Sequence, residues 1–121
     1  GNHVHLLIKE GAEPLDLIFK RIGSRFVYWY NVKYNRVGHL YQDRYKSCPV
    51  ETDEYFLSAL RYIHQNPVKA NIVKDCMDYE YSSYNAYFRH NSLVDTDMAL
   101  GMMSAEQFVD FHFYEDMNSH L

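Results

Sequence analysis

A stretch of 25 residues, 13–37, carries apolar side chains at intervals of three and four, and this periodicity constrains the fold more than any other feature. Side chains at these intervals fall on one face of an α-helix. The recurring residues are Leu15, Ile18, Ile22, Phe26 and Trp29 or Tyr30. We therefore predict a helix over residues 13–37, with Pro14 in its first turn and Gly38 as its stop.

Further helices follow in the second half of the chain. Residues 53–66 carry an apolar stripe, Thr52 is a good N-cap, and Pro67 is predicted to end this helix because the residue before a proline avoids α geometry. Shorter helices are predicted over residues 82–89, 95–103 and 105–117.

Two segments have the alternating pattern of β-strands. In residues 3–9, Val4, Leu6 and Ile8 alternate with neighbours that include His3 and His5, so both histidines would share one face of a strand. Residues 40–48 form the second predicted strand, which Pro49 ends. Strands and helices together predict an α+β domain.

Bulk properties limit the class of protein. A chain of 121 residues with 23 % charged side chains fits one compact domain. Two cysteines are too few for a disulfide framework and favour a reducing, intracellular environment. No apolar run reaches the roughly 20 residues of a membrane span, so we expect no membrane partner.

Charge divides the chain unevenly. All 12 Lys and Arg lie in residues 1–89 beside ten acidic residues, whereas residues 90–121 hold six acidic residues and no Lys or Arg. A mildly basic body with an acidic tail is compatible with nucleic-acid binding by the body. The 17 % aromatic content supplies a core and, as an alternative, platforms for base stacking.

Two constellations carry chemistry. His3 and His5 can converge on one cation, although such a pair also arises by chance as surface or packed histidines. In "RYIHQNPV", Tyr62 and Asn66 are four residues apart and share a helix face. Each of these also has a structural explanation, because Tyr62 can pack on its neighbours and Asn66 can cap the helix end.

Taken together, the two constellations supply two imidazoles, an amide oxygen and a tyrosine hydroxyl. A metal on such ligands polarises a phosphodiester, and a tyrosine hydroxyl can attack phosphorus. This ligand set suits Mg²⁺ or Mn²⁺ better than a structural zinc ion.

Four segments, "NHVHLLI", "GHLYQDRYKS", "RYIHQNPVKANIV" and "YEYSSYNAY", resemble the single-tyrosine HUH transposases in order and separation. The resemblance is closest to the branch associated with repetitive extragenic palindromes and covers about residues 2–89. It implies a bacterial intracellular enzyme that nicks and rejoins single-stranded DNA near hairpins through a 5′-phosphotyrosine. It also implies that Tyr62 is the nucleophile and that His3, His5 and Asn66 are the metal ligands.

A DNA-facing surface is predicted around the second strand. Arg44 and Lys46 would meet phosphates, and Tyr41 or Tyr45 would stack on bases, unless these tyrosines belong to the core. Arg61, Lys69 and Lys74 are further phosphate contacts. The remaining histidines, His39, His90, His112 and His120, are predicted to lie on the surface, and His64 to have no catalytic role.

The resemblance implies a ferredoxin-like fold in which a strand, a helix and a second strand precede the HUH strand, and this chain does not contain them. We therefore expect a helix-rich, truncated catalytic domain over residues 1–89, with residues 90–121 as an acidic helical extension packed on it. Exposed strand edges attract pairing partners, and three outcomes are open: the two strands pair with each other, two chains pair or swap strands in a dimer, or the HVH segment does not form its native strand. Of these we expect a helix-rich body with little sheet, and a homodimer. We also expect little activity from these 121 residues alone, because half of the supporting sheet is absent.

Two other functions compete with a transposase. A hairpin DNA or RNA binder that no longer cuts would show salt-dependent affinity without metal-dependent cleavage. A metal-binding or structural protein unrelated to DNA would have no affinity for oligonucleotides.

Overall fold

The computed structural model describes residues 3–41 and 44–113. Within these ranges the chain forms the helices α1 (Leu15–Lys33), α2 (Asp53–Lys69), α3 (Asp97–Met102) and α4 (Ala105–Phe113), and the 3-10 turns Cys76–Asp78 and Tyr84–Tyr87. None of the described helices combines the length and the apolarity that crossing a membrane requires.

The helices belong to two compact units. Residues 8–49 contain α1 and are called here the α1 unit. Residues 1–7 and 50–121 contain α2, α3 and α4 and are called the α2–α4 unit.

No β-strand occurs among the described residues, so the predicted α+β fold is wrong, while its helix-rich character is confirmed. Residues 3–9 and the described part of 40–48 have no strand pairing; Gln42 and Asp43 lie outside the described ranges. A strand needs a neighbour to accept its backbone hydrogen bonds and to cover its apolar face. Val4 and Leu6 remain exposed, so alternation alone did not create a strand.

Helix α1 is shorter than the predicted 13–37 because of local signals at both ends. The Glu10 carboxylate accepts the backbone N–H of Leu15, the first helical residue. At the other end, Asn35 adopts a positive φ of 51°. The N–H of Arg36 then donates to the carbonyl of Asn31, which completes a Schellman ending, so α1 ends at Lys33, four residues before the predicted end at residue 37.

Helix α2 begins as predicted and ends later than predicted. The Thr52 hydroxyl accepts the backbone N–H of Tyr55, which confirms the N-cap. Pro67 does not end the helix, which continues to Lys69 with the proline ring buried in its last turn. Asn71, with a φ of 58°, closes the helix by the same Schellman arrangement, in which the N–H of Ile72 donates to the carbonyl of Pro67.

The core of the α2–α4 unit surrounds Phe108, which is 0 % exposed. Its buried apolar neighbours come from α2, the second 3-10 turn and α3, and are Leu60, Tyr84 and Ala99. Phe108 stacks against Tyr87, with ring centroids 4.4 Å apart. Helices α3 and α4, which belong to the predicted extension 90–121, therefore contribute directly to this core.

Helix α4 starts with a reciprocal cap. The Ser104 hydroxyl accepts the N–H of Gln107, and the Gln107 side-chain oxygen accepts the N–H of Ser104. The predicted helix 105–117 is observed as Ala105–Phe113, and residues 114–117 lie outside the described ranges. Because the cap fixes where α4 begins, it also fixes which of its faces carries Phe108 toward α2.

Candidate functional site

His3 and His5 lie in an extended segment without strand pairing, and both are exposed. Their rings are nearly parallel, at 17°, with centroids 6.4 Å apart. The two imidazoles thus lie on the same side of the extended segment, as the i, i+2 spacing predicts. No hydrogen bond among the described residues holds either ring.

Tyr62 lies on α2 and is half-buried. Its ring and the His5 ring are in contact edge-to-face. The centroids are 5.6 Å apart and the ring planes are inclined by 87°. This contact brings together the two parts of the chain that the sequence singled out separately. His3, His5 and Tyr62 therefore belong to one cluster in the α2–α4 unit.

Asn66 lies one turn after Tyr62 on α2 and is half-buried. The alternative that Asn66 caps the helix end does not hold, because α2 continues to Lys69. Its backbone carbonyl accepts the N–H of Ala70 as part of the helix ending. The four-residue spacing leaves its side chain on the same face as Tyr62.

The donor types fit a hard or borderline divalent cation. Imidazole nitrogens and an amide oxygen are ordinary ligands of such ions. Among the described residues, no group of three or more His, Cys, Asp or Glu is arranged to hold a metal. A metal at this cluster would therefore depend on Asn66 in addition to His3 and His5.

The predicted DNA contacts in the α1 unit are mostly exposed. Arg44 and Lys46 are both exposed. Tyr45 packs on Phe19 of α1 with ring centroids 4.7 Å apart, and Tyr41 lies 6.5 Å from Phe26. About half of each tyrosine remains exposed, so both rings combine a packing contact with an accessible surface.

Arg61, in contrast, joins two helices. Its side chain is 9 % exposed, and its guanidinium lies 4.2 Å from the Phe111 ring centroid. It also donates a 3.4 Å hydrogen bond to the Phe111 carbonyl in the last turn of α4. Lys69 and Lys74 are exposed and therefore available to phosphates, whereas Arg61 is already in contact with α4.

The most organised polar group in the structure is one that sequence reasoning missed. His64 is 0 % exposed and His112 is 6 % exposed, so the prediction that His112 lies on the surface is wrong. His39 and His90 are exposed as predicted, and His120 lies outside the described residues. The signal was available, because Leu60 and His64, like Phe108 and His112, are four residues apart and share a core-facing helix side.

The two buried histidines form a chain of hydrogen bonds. The Phe108 carbonyl can only accept, so His112 donates to it through Nδ1 at 2.8 Å. His112 Nε2 then accepts from His64 Nδ1 at 2.9 Å, and His64 Nε2 accepts from the Ser83 hydroxyl at 2.7 Å. With both imidazoles neutral, as their lowered pKa values favour, every ring nitrogen is used.

Burial disfavours a charge on either ring. Desolvation, followed by the neighbouring His112, lowers the pKa of His64 to about 3. Desolvation also lowers the pKa of His112; its bond to the Phe108 carbonyl opposes this shift and the nearby Arg61 guanidinium adds to it. A base of such low pKa, enclosed by aromatic rings, is suited to holding α2 and α4 together and not to proton transfer at neutral pH.

Comparison of the chain with known families, curated proteins and solved structures finds no match.

Proposed function

We propose that the natural gene product carrying this sequence is a transposase-type enzyme that nicks and rejoins single-stranded DNA near hairpins. Tyr62 is the proposed nucleophile, and His3, His5 and Asn66 are the proposed ligands of Mg²⁺ or Mn²⁺. The observation that carries the proposal is the contact between the His5 and Tyr62 rings. Without it, the two motifs would remain unrelated parts of the sequence.

The proposed reaction is a balanced exchange of phosphodiester bonds. The Tyr62 oxygen forms a bond to phosphorus, and the bond from phosphorus to the 3′ oxygen breaks. The phenolic proton leaves and the released 3′ oxygen is protonated, so the products are a 5′-phosphotyrosine and a free 3′ hydroxyl. A 3′ hydroxyl attacking that phosphotyrosine restores a DNA strand without an external energy source.

The residues around Tyr62 would orient the reaction. His5 meets the Tyr62 ring edge-to-face and limits its rotation. Asn66, one turn further along α2, would contribute an amide oxygen on the same face. A divalent cation, when bound, would neutralise the charge that develops on the phosphate oxygens.

Contacts to the DNA backbone and bases are proposed at exposed positions. Arg44, Lys46 and Lys69 would meet phosphates, which position the strand without reading its sequence. Tyr41 and Tyr45 would each offer a half-exposed ring for base stacking.

The 121 residues alone are expected to turn over slowly. Catalytic ligands need to be held within about 0.5 Å of their productive positions. His3 and His5 lie in an exposed segment without strand pairing, and no hydrogen bond among the described residues fixes their rings. We therefore expect these residues to form the covalent adduct slowly.

One observation favours a second function, a binder of hairpin DNA or RNA that does not cut. The imidazoles of His3 and His5 are exposed, whereas the rest of the α2–α4 unit is built around a closed aromatic core. A binder would require only the basic and aromatic surface and would keep its affinity when the metal is removed.

Covalent capture separates the two functions. The natural gene product is incubated with Mn²⁺ and a hairpin-flanked oligonucleotide, and denaturing electrophoresis measures the adduct. The Tyr62→Phe variant should form none, while Tyr81→Phe, which removes a hydroxyl from an exposed tyrosine of the same unit, should match the wild type. Adduct formation by Tyr62→Phe would refute the assigned nucleophile, and salt-dependent binding without any adduct would favour the binder.

A further inference from the structure

Helix α1 buries none of its 19 residues, although its sequence is rich in large apolar side chains. Trp29 is 50 % exposed, and Phe26 and Tyr34 also keep a substantial exposed surface. Exposed apolar area of this kind, gathered on one helix, usually marks a binding surface.

Cations lie directly on the rings at the C-terminal end of this helix. The Lys33 ammonium lies 4.8 Å from the Trp29 ring centroid and 5.3 Å from that of Tyr34. The Arg36 guanidinium lies 5.5 Å from the Tyr30 centroid. We call these five residues the aromatic–cationic end of α1.

Charge indicates the sign of the partner. Residues 8–49 carry eight Lys and Arg against four Asp and Glu, a net charge of +4. The rest of the chain carries four against twelve, a net charge of −8. The α1 unit therefore attracts a polyanion, and a second copy of its own positively charged face would be repelled.

We propose that the aromatic–cationic end of α1 binds single-stranded DNA. This inference rests on the proposed action on single-stranded DNA and adds a surface to it. Bases stack on the exposed rings, and Lys33 and Arg36 pair with phosphates of the same strand. The Lys33 ammonium, on its flexible stem, leaves the Trp29 ring face to the base and moves to the adjoining phosphate.

A single strand fits this surface better than a duplex or an acidic peptide. Unpaired bases offer the flat faces that aromatic rings require, whereas a duplex keeps its bases stacked inside. An acidic peptide would satisfy the cations and leave most of the ring surface uncovered. The binding should accept many sequences, because every base has a π-face.

Trp29 is the only tryptophan of the chain and reports on this surface directly. The 121-residue chain is titrated with a short oligothymidylate and with a duplex of equal length, and the Trp29 fluorescence is followed. The single strand should quench the fluorescence, and the affinity should fall as salt is raised from about 50 to about 200 mM. The duplex should quench it less.

Variants locate the contact. Trp29→Ala should weaken binding of a labelled oligonucleotide at least about fivefold, whereas Tyr28→Ala, which removes a highly exposed ring from an adjacent face of α1, should have little effect. The double variant Lys33→Gln with Arg36→Gln should reduce the slope of log affinity against log salt by about 1.4. Its matched control, Lys9→Gln with Arg89→Gln, removes the same charge from exposed positions elsewhere and should change that slope less.

The outcomes separate this surface from the nucleophile. Absence of quenching, or equal losses in the two double variants, would overturn the surface. A Trp29 fluorescence that changes with protein concentration in the absence of DNA would assign the aromatic–cationic end of α1 to a second copy of the chain. That result would also overturn the proposed DNA-binding surface. Quenching without an adduct in the natural gene product would refute Tyr62 chemistry alone, and an adduct without quenching would refute the surface alone.

Discussion

Helices α1 and α2 are similar in length and ending, and they differ in what they bury. Both end at an asparagine of positive φ, Asn35 and Asn71. Helix α2 buries five of its residues against neighbouring elements, whereas α1 buries none. Local sequence signals thus specify both helices equally well, but only a covering partner converts an apolar face into a core.

The two units also differ in how they use polar groups. In the α2–α4 unit, α2 side chains bond to the carbonyls of α4: Arg61 donates to Phe111, and Gln65 donates to His112 at 2.6 Å. In the α1 unit the cations lie on exposed rings. The first arrangement closes a core, and the second leaves charge and aromatic surface available to a ligand.

The largest expected effect is on the core. Phe108→Ala should lower the free energy of unfolding by about 3–5 kcal/mol, because it leaves a cavity among packed rings. Phe26→Ala in α1, where the ring is 41 % exposed, should cost about 1 kcal/mol or less. Urea unfolding followed by far-UV circular dichroism measures both, and equal costs would abolish the contrast between the units.

Acid should destabilise the α2–α4 unit through its buried histidines. The pKa of His64 is about 3 when folded and 6.5 when exposed, so the unfolded chain takes up the proton first. The contribution of neutral His64 to the free energy of unfolding is therefore fully present above pH 6.5. Below that pH it falls by about 1.4 kcal/mol for each unit of decreasing pH, or about 2 kcal/mol by pH 5. Urea titrations at a series of pH values measure the slope, and the variant His64→Leu with His112→Leu should show a shallower one.

Breaking the histidine chain at one end should cost less than removing the core ring. His112→Leu leaves the His64 Nδ1–H without its acceptor and should lower the free energy of unfolding by about 1–3 kcal/mol. His90→Leu, at an exposed histidine of the same unit, should be nearly neutral. Because the two rings share one network, a double-mutant cycle should give less than the sum of the single effects, and strict additivity would contradict the chain.

The smallest effect tests α1. A Cβ added at Gly23 meets no atom within 4 Å, so Gly23→Ala should stabilise the helix by about 1 kcal/mol or less through helix propensity alone. Circular dichroism should show equal or higher helicity. A destabilised variant would mean that the Gly23 position is closely covered, contrary to the open face described here.

The sequence predicted most helices because caps and periodicity act locally. Thr52 and the 3.6-residue stripe located α2. The ends of α1 and α2 were misjudged because Asn35 and Asn71, not Gly38 and Pro67, stop these helices.

The strands could not be predicted reliably because pairing depends on distant partners. Residues 3–9 alternate as a strand should, but nothing among the described residues pairs with them. For the buried histidines, the four-residue spacing does place His112 on the same side of α4 as Phe108, but that side becomes buried only when α4 packs on α2. That His5 and Tyr62 belong to one site was expected from the resemblance to HUH transposases and not from periodicity. The contact between their rings is a long-range contact that no local sequence pattern encodes.

Mapping the attachment site of DNA tests the central claim most directly. The natural gene product is trapped with Mn²⁺ on a hairpin-flanked oligonucleotide, and mass spectrometry of its peptides locates the modified residue among the 12 tyrosines of this chain. The account predicts a 5′-phosphodeoxynucleotide on Tyr62 alone, formed only with the metal. Attachment to any other tyrosine, or its absence under conditions in which the DNA is bound, would contradict the account.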